Sequence, residues 1–336
     1  MSDARYDVVG IGNAIVDVIA RTGDAFLIEH DLNKGAMTLI DDARAIDLYA
    51  SLVDAGDVTE QSGGSAANTI AAIASLGGSC SYIGKVRDDG LGKSFRHAIK
   101  EIGVDFDTPS STTGAPTALC MIVVTPDAQR TMNTYLGACV ELGPDDIDPD
   151  VIRSSQVTYM EGYLYDPPAA KEAFIKAATI AHDAGRKVSI TLSDSFCVDR
   201  HRDNFLKLLD GHIDILFANE AEIKSLYQVD EFDEALQLVR KSCEISALTR
   251  SEQGSVIVSG DEVHVVDASS VTSVVDTTGA GDAYAAGFLY GYTHNLGLRD
   301  SAHIGGVAAA EMISHMGARP EQPLDKLIES KLNIKI

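Results

Sequence analysis

The chain has no tryptophan among its 336 residues, and only nine prolines and five cysteines. The cysteines, at 80, 120, 139, 197 and 243, form no CxxC pair. A disulfide framework and a zinc site are therefore not expected, and a reducing, cytoplasmic setting fits. The nine histidines make no HxH or HxxxH pair, which removes the commonest metal spacing. Basic residues are scarce: 27 Lys and Arg face 50 Asp and Glu, a formal charge of −23. That argues against a nucleic-acid or anionic-membrane surface. It leaves room for a phosphate ligand, which backbone N–H groups and Mg²⁺ can hold inside an acidic protein. No apolar run reaches a membrane span, and the opening MSDARYD lacks the basic region of a signal peptide. Repeats and low-complexity linkers are missing too. What remains is an ordinary globular balance, 45% hydrophobic and 23% charged, with length for one large α/β domain or two modest ones.

From residue 156 onward apolar strands alternate with amphipathic helices. VTYMEGYL, KVSITL, IDILFA and ISALTR read as strands; AAKEAFIKAATIAHDAG, RDNFLKLLDG, EAEIKSLYQ and DEALQLVRKS read as helices. Strands apolar throughout and spaced by helices indicate a doubly wound, mostly parallel sheet covered on both faces. SVIVSG and EVHVVD form a hairpin turning at Gly260-Asp261, and two long helices are expected at about 279–295 and 299–316. In the first third, YDVVGIGN and CSYIG read as strands, and SAANTIAAIASLG and GLGKSFRHAIKEIG as helices. Segments 17–40 and 114–136 have little helical period and many Thr, Val, Met and Ile. They are read as insertions forming a small β-sheet lid on a single domain spanning 1–336.

The stretch VVDTTGAGDAYAAGF, residues 274–288, places glycines directly before an acid at a helix start. The first turn of a helix has unpartnered N–H groups at the positive end of its dipole. Gly279, Ala280 and Gly281 can wrap an anion there. Asp282 can then orient a hydroxyl and accept its proton while those N–H groups stabilise a transferring phosphoryl group. A carboxylate so placed should be a weak base, which phosphoryl transfer tolerates. For GAGD alone, a simple N-terminal cap is the competing account.

The longer string DTTGAGDAYAAGF resembles the C-terminal motif of the ribokinase-like, or phosphofructokinase-B, carbohydrate kinase family, and the resemblance extends along essentially the full chain. It implies an ATP-dependent, Mg²⁺-requiring kinase acting on a primary hydroxyl, as a monomer or homodimer. GIGNAIVDV resembles the family's opening motif, so Asn13 and Asp17 would hold substrate hydroxyls. QSGGSAANT resembles its glycine-rich sugar contact, carrying Gly63, Gly64 and Asn68. LFANEAEI resembles its Asn-x-x-Glu element, so Asn219 and Glu222 would organise Mg²⁺ through water near ATP. ALTRSEQG resembles its nucleotide strand end, carrying Thr249 and Gly254 but with Ser251 in place of a glycine. The resemblance also implies a monovalent cation, such as K⁺, with Asp276 a candidate ligand.

Within the family, IDILFANEAE, SITLSDSF and QRTMNTYLGA are similar to the adenosine kinase branch. On that likeness Arg130 would neutralise charge on the triphosphate. Tyr163 and Phe196, with the lid residues Met132 and Leu136, would enclose the base. SDSF and Gly306 depart from the branch. A ribokinase- or fructokinase-like sugar kinase stays open as the alternative. A non-catalytic binder is disfavoured by the intact Asp282, Asn219 and Glu222. An NAD-dependent oxidoreductase is disfavoured because GIGNAI has Ile15 where the dinucleotide fingerprint needs its third glycine, and DDGLGKSF has Arg87 where a Walker A loop needs its first.

Overall fold

The computed structural model describes residues 4–127 and 129–335. Its thirteen strands are β1 (Tyr6–Ile11), β2 (Ile15–Arg21), β3 (Met37–Leu39), β4 (Val58–Gly63), β5 (Cys80–Ile83), β6 (Ala118–Val124), β7 (Arg130–Tyr135), β8 (Ser155–Glu161), β9 (Lys187–Thr191), β10 (Ile215–Asn219), β11 (Ile245–Thr249), β12 (Ser255–Ser259) and β13 (Glu262–Val266). Eight of them form one sheet in the order β13-β12-β11-β10-β9-β8-β1-β5. The pairings from β5 to β11 are parallel, and β12 and β13 close the edge as an antiparallel hairpin. This is the doubly wound α/β fold expected from the alternation.

Each parallel strand buries both faces, which is why its sequence reads as an unbroken apolar run. One face carries Val157, Tyr159, Ile215 and Phe217 against helices Ser65–Ser75, Ala280–Thr293 and Leu298–Met312. Phe217 meets Phe288 edge-on at 5.5 Å, a favoured aromatic geometry. The other face carries Met160, Ile190, Leu216 and Leu248 against helices Pro168–Asp183, Ser195–Leu209 and Glu220–Tyr227. Helix Ala280–Thr293 is apolar nearly all round and is buried almost throughout, so it is a core element.

Boundaries differ from expectation at several points, and the strand read through Leu164 ends at Glu161, where Gly162–Tyr165 turns as a 3₁₀ helix. Helix Leu298–Met312 stops short of 316 because the chain then folds back over the loop before Ala280. The Ile313 carbonyl accepts from the N–H of Val275 at 2.8 Å. The helix read from Arg202 follows a kink at His201 (φ −122°, ψ 16°), which joins it to a helical segment from Ser195 that the Asp194 side chain caps by accepting from the N–H of Cys197 at 2.6 Å.

The remaining strands form a second sheet in the order β3-β7-β6-β2-β4. The small sheet thus draws on β4 as well as on 17–40 and 114–136, and two helices belong with it. Helix Asp42–Ala55 starts at an Asp41 cap and packs Ala45, Leu48 and Leu52, with Leu27 of helix Asp24–Glu29, on Val18, Ala20, Met121 and Val123. Strand alternation sends the opposite set to the other face. There Ile15, Cys120, Ile122 and Val124 cluster with Ile19, Met132 and Met316. Met316 lies just past helix Leu298–Met312, so this face turns toward the large sheet.

Candidate active site

The carboxyl ends of parallel strands in such a fold open onto a crevice where ligands bind. Here that crevice receives Asn13 after β1, Glu161 at the end of β8, Asp194 after β9, Asn219 at the end of β10, and the N-terminus of helix Ala280–Thr293.

Gly279 caps that helix with φ +76°, a left-handed conformation in which glycine is the least strained residue. The Gly281 and Asp282 N–H groups find no backbone acceptor among the described residues, as a helix start leaves them. Asp282, partly buried, accepts from the Ser65 hydroxyl at 2.6 Å and from the Asn68 amide at 3.2 Å. Burial raises its carboxyl to about 6, against the pull of Ser65, Asn68 and the Arg319 charge. The weak base expected beside a helix dipole is therefore corrected: desolvation outweighs the stabilising donors.

Asp17 sits on β2, on the crevice side of the small sheet. Burial likewise raises it to about 6, opposed by Arg130 and Arg319. Gly63, opposite Ile15 on β4, lies close under the Asp17 side chain: a methyl group there would lie 2.4 Å from an Asp17 carboxylate oxygen. Gly64 has φ +94°, and a methyl group there would strike the Asn13 carbonyl at 2.1 Å. The Gly-Gly pair thus lets β4 end against Asp17 and helix Ser65–Ser75 begin against β1. That helix start is held by Glu161, which is 1% exposed. Its carboxylate accepts from Ala66 N–H at 2.8 Å, the Asn13 side-chain amide at 2.7 Å and Asn13 N–H at 3.3 Å. Burial pushes Glu161 to about 7. Asn13, Asp17, Gly63, Gly64, Asn68 and Asp282 are therefore brought into one neighbourhood.

Asn219 and Glu222 form a capping box: Asn219 accepts from Glu222 N–H at 2.9 Å, and Glu222 accepts from Asn219 N–H at 3.0 Å and from its side-chain amide. Glu222 is 5% exposed yet makes no ion pair among the described residues, and burial raises it to about 7. A buried carboxylate without a counter-ion, next to an exposed amide oxygen donor, fits a hydrated Mg²⁺.

Asp276 does not fit a monovalent cation. One of its oxygens accepts from Thr278 N–H at 3.0 Å and the Thr278 hydroxyl at 2.7 Å. The other accepts from Gly317 N–H at 2.9 Å and pairs with Arg130. A carboxylate offers about four acceptor sites, so none is left, and Arg130 would repel a cation. Arg130 itself is no surface residue: it is nearly buried and ties β7 to the loop before the helix.

Thr249 ends β11 beside Asn219. Gly254 has φ +81° and presses on the Val266 carbonyl, which a methyl group would approach to 2.0 Å; that position is fixed by packing against β13. Ser251, where the family has glycine, lies at φ +50°. Tyr163 is partly buried and its hydroxyl donates to the Ser193 carbonyl at 3.2 Å, while burial raises its phenol. Phe196 is 74% exposed at the start of its helix, so it is not core and does not enclose a pocket in this structure.

Sequence reasoning passed over Glu161, Ser65 and Arg319. A lone acid ending the apolar strand VTYME was a usable signal, since unpaired buried Glu is rare. Ser65 and Arg319 had none. Arg319 reaches in from beyond helix Leu298–Met312 and donates to the Ser62 carbonyl at 3.1 and 3.2 Å, the Ser62 hydroxyl at 3.2 Å and the Ala67 carbonyl at 3.0 Å.

A crevice at a parallel sheet's carboxyl edge, an acid in the open first turn of a helix, and a second sheet facing it define a small-molecule kinase scaffold of the α/β class. The pfkB family carbohydrate kinase model matches residues 34–325, and the chain belongs to that family. A probable sugar kinase from Rhizobium etli is 51% identical, with TM-score 0.91, covering 98% of this chain and 100% of that one. An adenosine kinase from Sinorhizobium meliloti is 52% identical, with TM-score 0.90, covering 97% and 99%. Probable fructokinase-4 of Arabidopsis thaliana is 27% identical over 297 residues, 84% of this chain and 90% of its own. Membership makes the protein a sugar or nucleoside kinase that uses ATP. No helix among the described residues is long and apolar enough to cross a membrane.

Proposed function

We propose that the protein transfers the γ-phosphoryl group of ATP to the 5′-hydroxyl of adenosine, giving AMP. The observation that carries this reading is the composition of the small sheet's crevice face. A partly buried carboxylate, Asp17, stands on the same face as an apolar patch of Ile19, Ile122, Met132 and Met316. A ribose with a flat apolar base attached matches that pairing better than a free sugar, which is hydroxylated all round. The 52% identical adenosine kinase of Sinorhizobium meliloti supports it; the probable fructokinase supports the coarser alternative, a sugar acceptor.

In this reading Asp17 accepts two ribose hydroxyls, with Asn13, Gly63, Gly64 and Asn68 shaping the pocket. Tyr163, Met132 and Leu136 line the base, and Phe196, exposed at the rim, is covered by it on binding. The 5′-oxygen attacks phosphorus, its proton passes to Asp282, and the bond to the bridging oxygen breaks with its electron pair leaving on ADP. The N–H groups of Gly279 and Gly281 receive charge on the phosphoryl oxygens, joined by that of Ala280 once it leaves the Thr277 carbonyl, to which it donates at 3.3 Å. Arg130 would neutralise triphosphate charge once ligand draws it from Asp276, and Thr249 and Gly254 border the nucleotide. Asn219 and Glu222 would hold Mg²⁺ through its water; when bound, the ion draws charge from the phosphates. The test is ADP release, coupled to a chromogenic assay, with adenosine, ribose and fructose as acceptors. Adenosine turnover far above the sugars upholds the reading; a sugar preferred over adenosine replaces it with the sugar kinase.

A further inference from the structure

Arg319 stands out because no carboxylate among the described residues pairs with it by contact. Its guanidinium is held entirely by the carbonyl and hydroxyl of Ser62 and the carbonyl of Ala67. Ser62 belongs to β4, beside Gly63, and Ala67 to the first turn of the helix that supplies Ser65 and Asn68 to Asp282. Arg319 follows Gly317, whose N–H is bonded to Asp276, and Ala318, which packs under Gly279. One side chain thus pins the small sheet, the glycine-rich helix start and the turn carrying Asp282 to one another.

Its charge acts on two carboxylates. The groups that act on Asp282 are Arg319, Glu161, Tyr159 and Tyr163, with Ser65 and Asn68 bonded to it. Arg319 is the only cation among them. Those acting on Asp17 are Arg130, Arg319 and Cys120, and Arg130 is already paired with Asp276. Burial lowers Arg319 to about 10, which leaves it charged at neutral pH. Both carboxylates, meanwhile, are pushed upward by burial, toward the protonated forms that can neither accept a hydroxyl proton nor accept two hydroxyl hydrogen bonds.

We propose that Arg319 is a positioning residue that keeps Asp17 and Asp282 ionised together, so that hydroxyl binding at the small sheet and proton acceptance at the large one stay available over the same pH range. The proposal rests on the roles given above to those two acids. Arg319 touches no reacting atom in it; it works through the field it imposes and the segments it joins. A purely structural arginine would join the segments without setting the acid limb of the reaction.

The experiment compares wild type with Arg319→Gln, which retains hydrogen-bond donors without charge, and Arg319→Lys, which retains charge without the planar fork. kcat/KM is measured from pH 5 to 9 with saturating ATP, and the melting temperature of each variant is recorded. The acceptor is whichever of adenosine, ribose or fructose the wild type uses best, so a wrong substrate assignment does not disturb the comparison. Loss of a nearby opposite charge should raise the acid limb by about one pH unit. R319Q should then lose about tenfold more activity below that limb than at pH 9, and R319K should return the limb to its wild-type position even if its activity is lower throughout. A uniform loss across the pH range in R319Q overturns the proposal. If R319Q does not fold, R319K still decides: a limb at the wild-type pH upholds the proposal, and a limb shifted upward as far as an uncharged residue would shift it overturns it.

Discussion

The two sheets are built on opposite economies of burial. The eight-stranded sheet hides both faces and leaves only its carboxyl ends for chemistry, so Asp282, Glu161 and Glu222 all lie at element ends. The five-stranded sheet hides one face under helices Asp24–Glu29 and Asp42–Ala55 and turns the other toward the crevice, where Ile15, Cys120, Ile122 and Val124 are buried and Asp17, Ile19 and Met132 stay partly exposed. Asp17 can therefore sit in mid-strand, at the centre of β2. The difference separates two tasks. In the proposed reaction the doubly covered large sheet would hold the reacting groups at its ends, and the partly exposed residues on the crevice face of the small sheet would meet the substrate.

The largest expected effect breaks the first half of that division. Asp282→Asn keeps the shape and the bonds from Ser65 and Asn68 within reach but removes the proton acceptor. Turnover should fall by about 10²–10⁴ with acceptor KM nearly unchanged; steady-state kinetics on the variant checks this, and near-wild-type turnover would remove Asp282 from the reaction. Asp17→Ala strikes the other half. Losing charge-assisted bonds to two hydroxyls should weaken acceptor binding by about 1.5–3 kcal/mol while sparing ATP. Calorimetric titration with each ligand measures it, and equal weakening of both would make Asp17 structural.

Much of the large sheet was legible because its strands are apolar on both faces and its helices keep a 3.6-residue period. DILFA and SALT cannot be half-buried strands, and the hairpin at Gly260-Asp261 follows from turn chemistry. The small sheet was harder. β4, VTEQSG, is polar and mostly accessible, so it carries no strand signal until it pairs with β2. Helix Asp42–Ala55 is marked in the sequence by its Asp41 cap and its spacing of Ala45, Leu48 and Leu52. At the site, residues inside long motifs could be read, whereas contacts made across hundreds of positions could not. Arg319 meets Ser62 at a separation of 257 residues. The filled carboxylate of Asp276 is likewise in part a tertiary fact, since two of its four donors, on Arg130 and Gly317, lie 146 and 41 residues away.

Smaller effects sharpen the comparison. Met132→Ala removes apolar area from the small sheet's crevice face without touching the large sheet. It should narrow the preference for adenosine over ribose by about tenfold, the value of one or two buried methylene groups, and leave kcat near wild type. Parallel kcat/KM series with the two acceptors test this; an unchanged ratio would take the base away from that patch.

The smallest effect concerns stability. Asp17 and Asp282 are raised to about 6, and Glu161 and Glu222 to about 7. Each folded-state value lies above the unfolded one, so protonation favours the fold. That contribution is complete below about pH 4 and is lost as pH rises through 6 to 7. The melting temperature should therefore be about 2–5 °C higher at pH 5.5 than at pH 8, and a double Asp17→Asn, Asp282→Asn variant should shrink the difference without removing it, because Glu161 and Glu222 keep the larger share. A protein that melts lower at pH 5.5 would show that these carboxylates are better solvated than their burial implies.

The division of labour between the sheets is tested most directly by acceptor specificity, because the turn bearing Asp282 meets a primary hydroxyl in the same way whatever lies behind it. Selection must then come from the crevice face of the small sheet. Apolar burial of a base there is expected to contribute a few kcal/mol, about a hundredfold or more in specificity. The measurement is kcat/KM for adenosine against ribose and fructose with the unmodified enzyme and ATP. The account predicts adenosine ahead by about two orders of magnitude; a free sugar equal to or ahead of adenosine would contradict it.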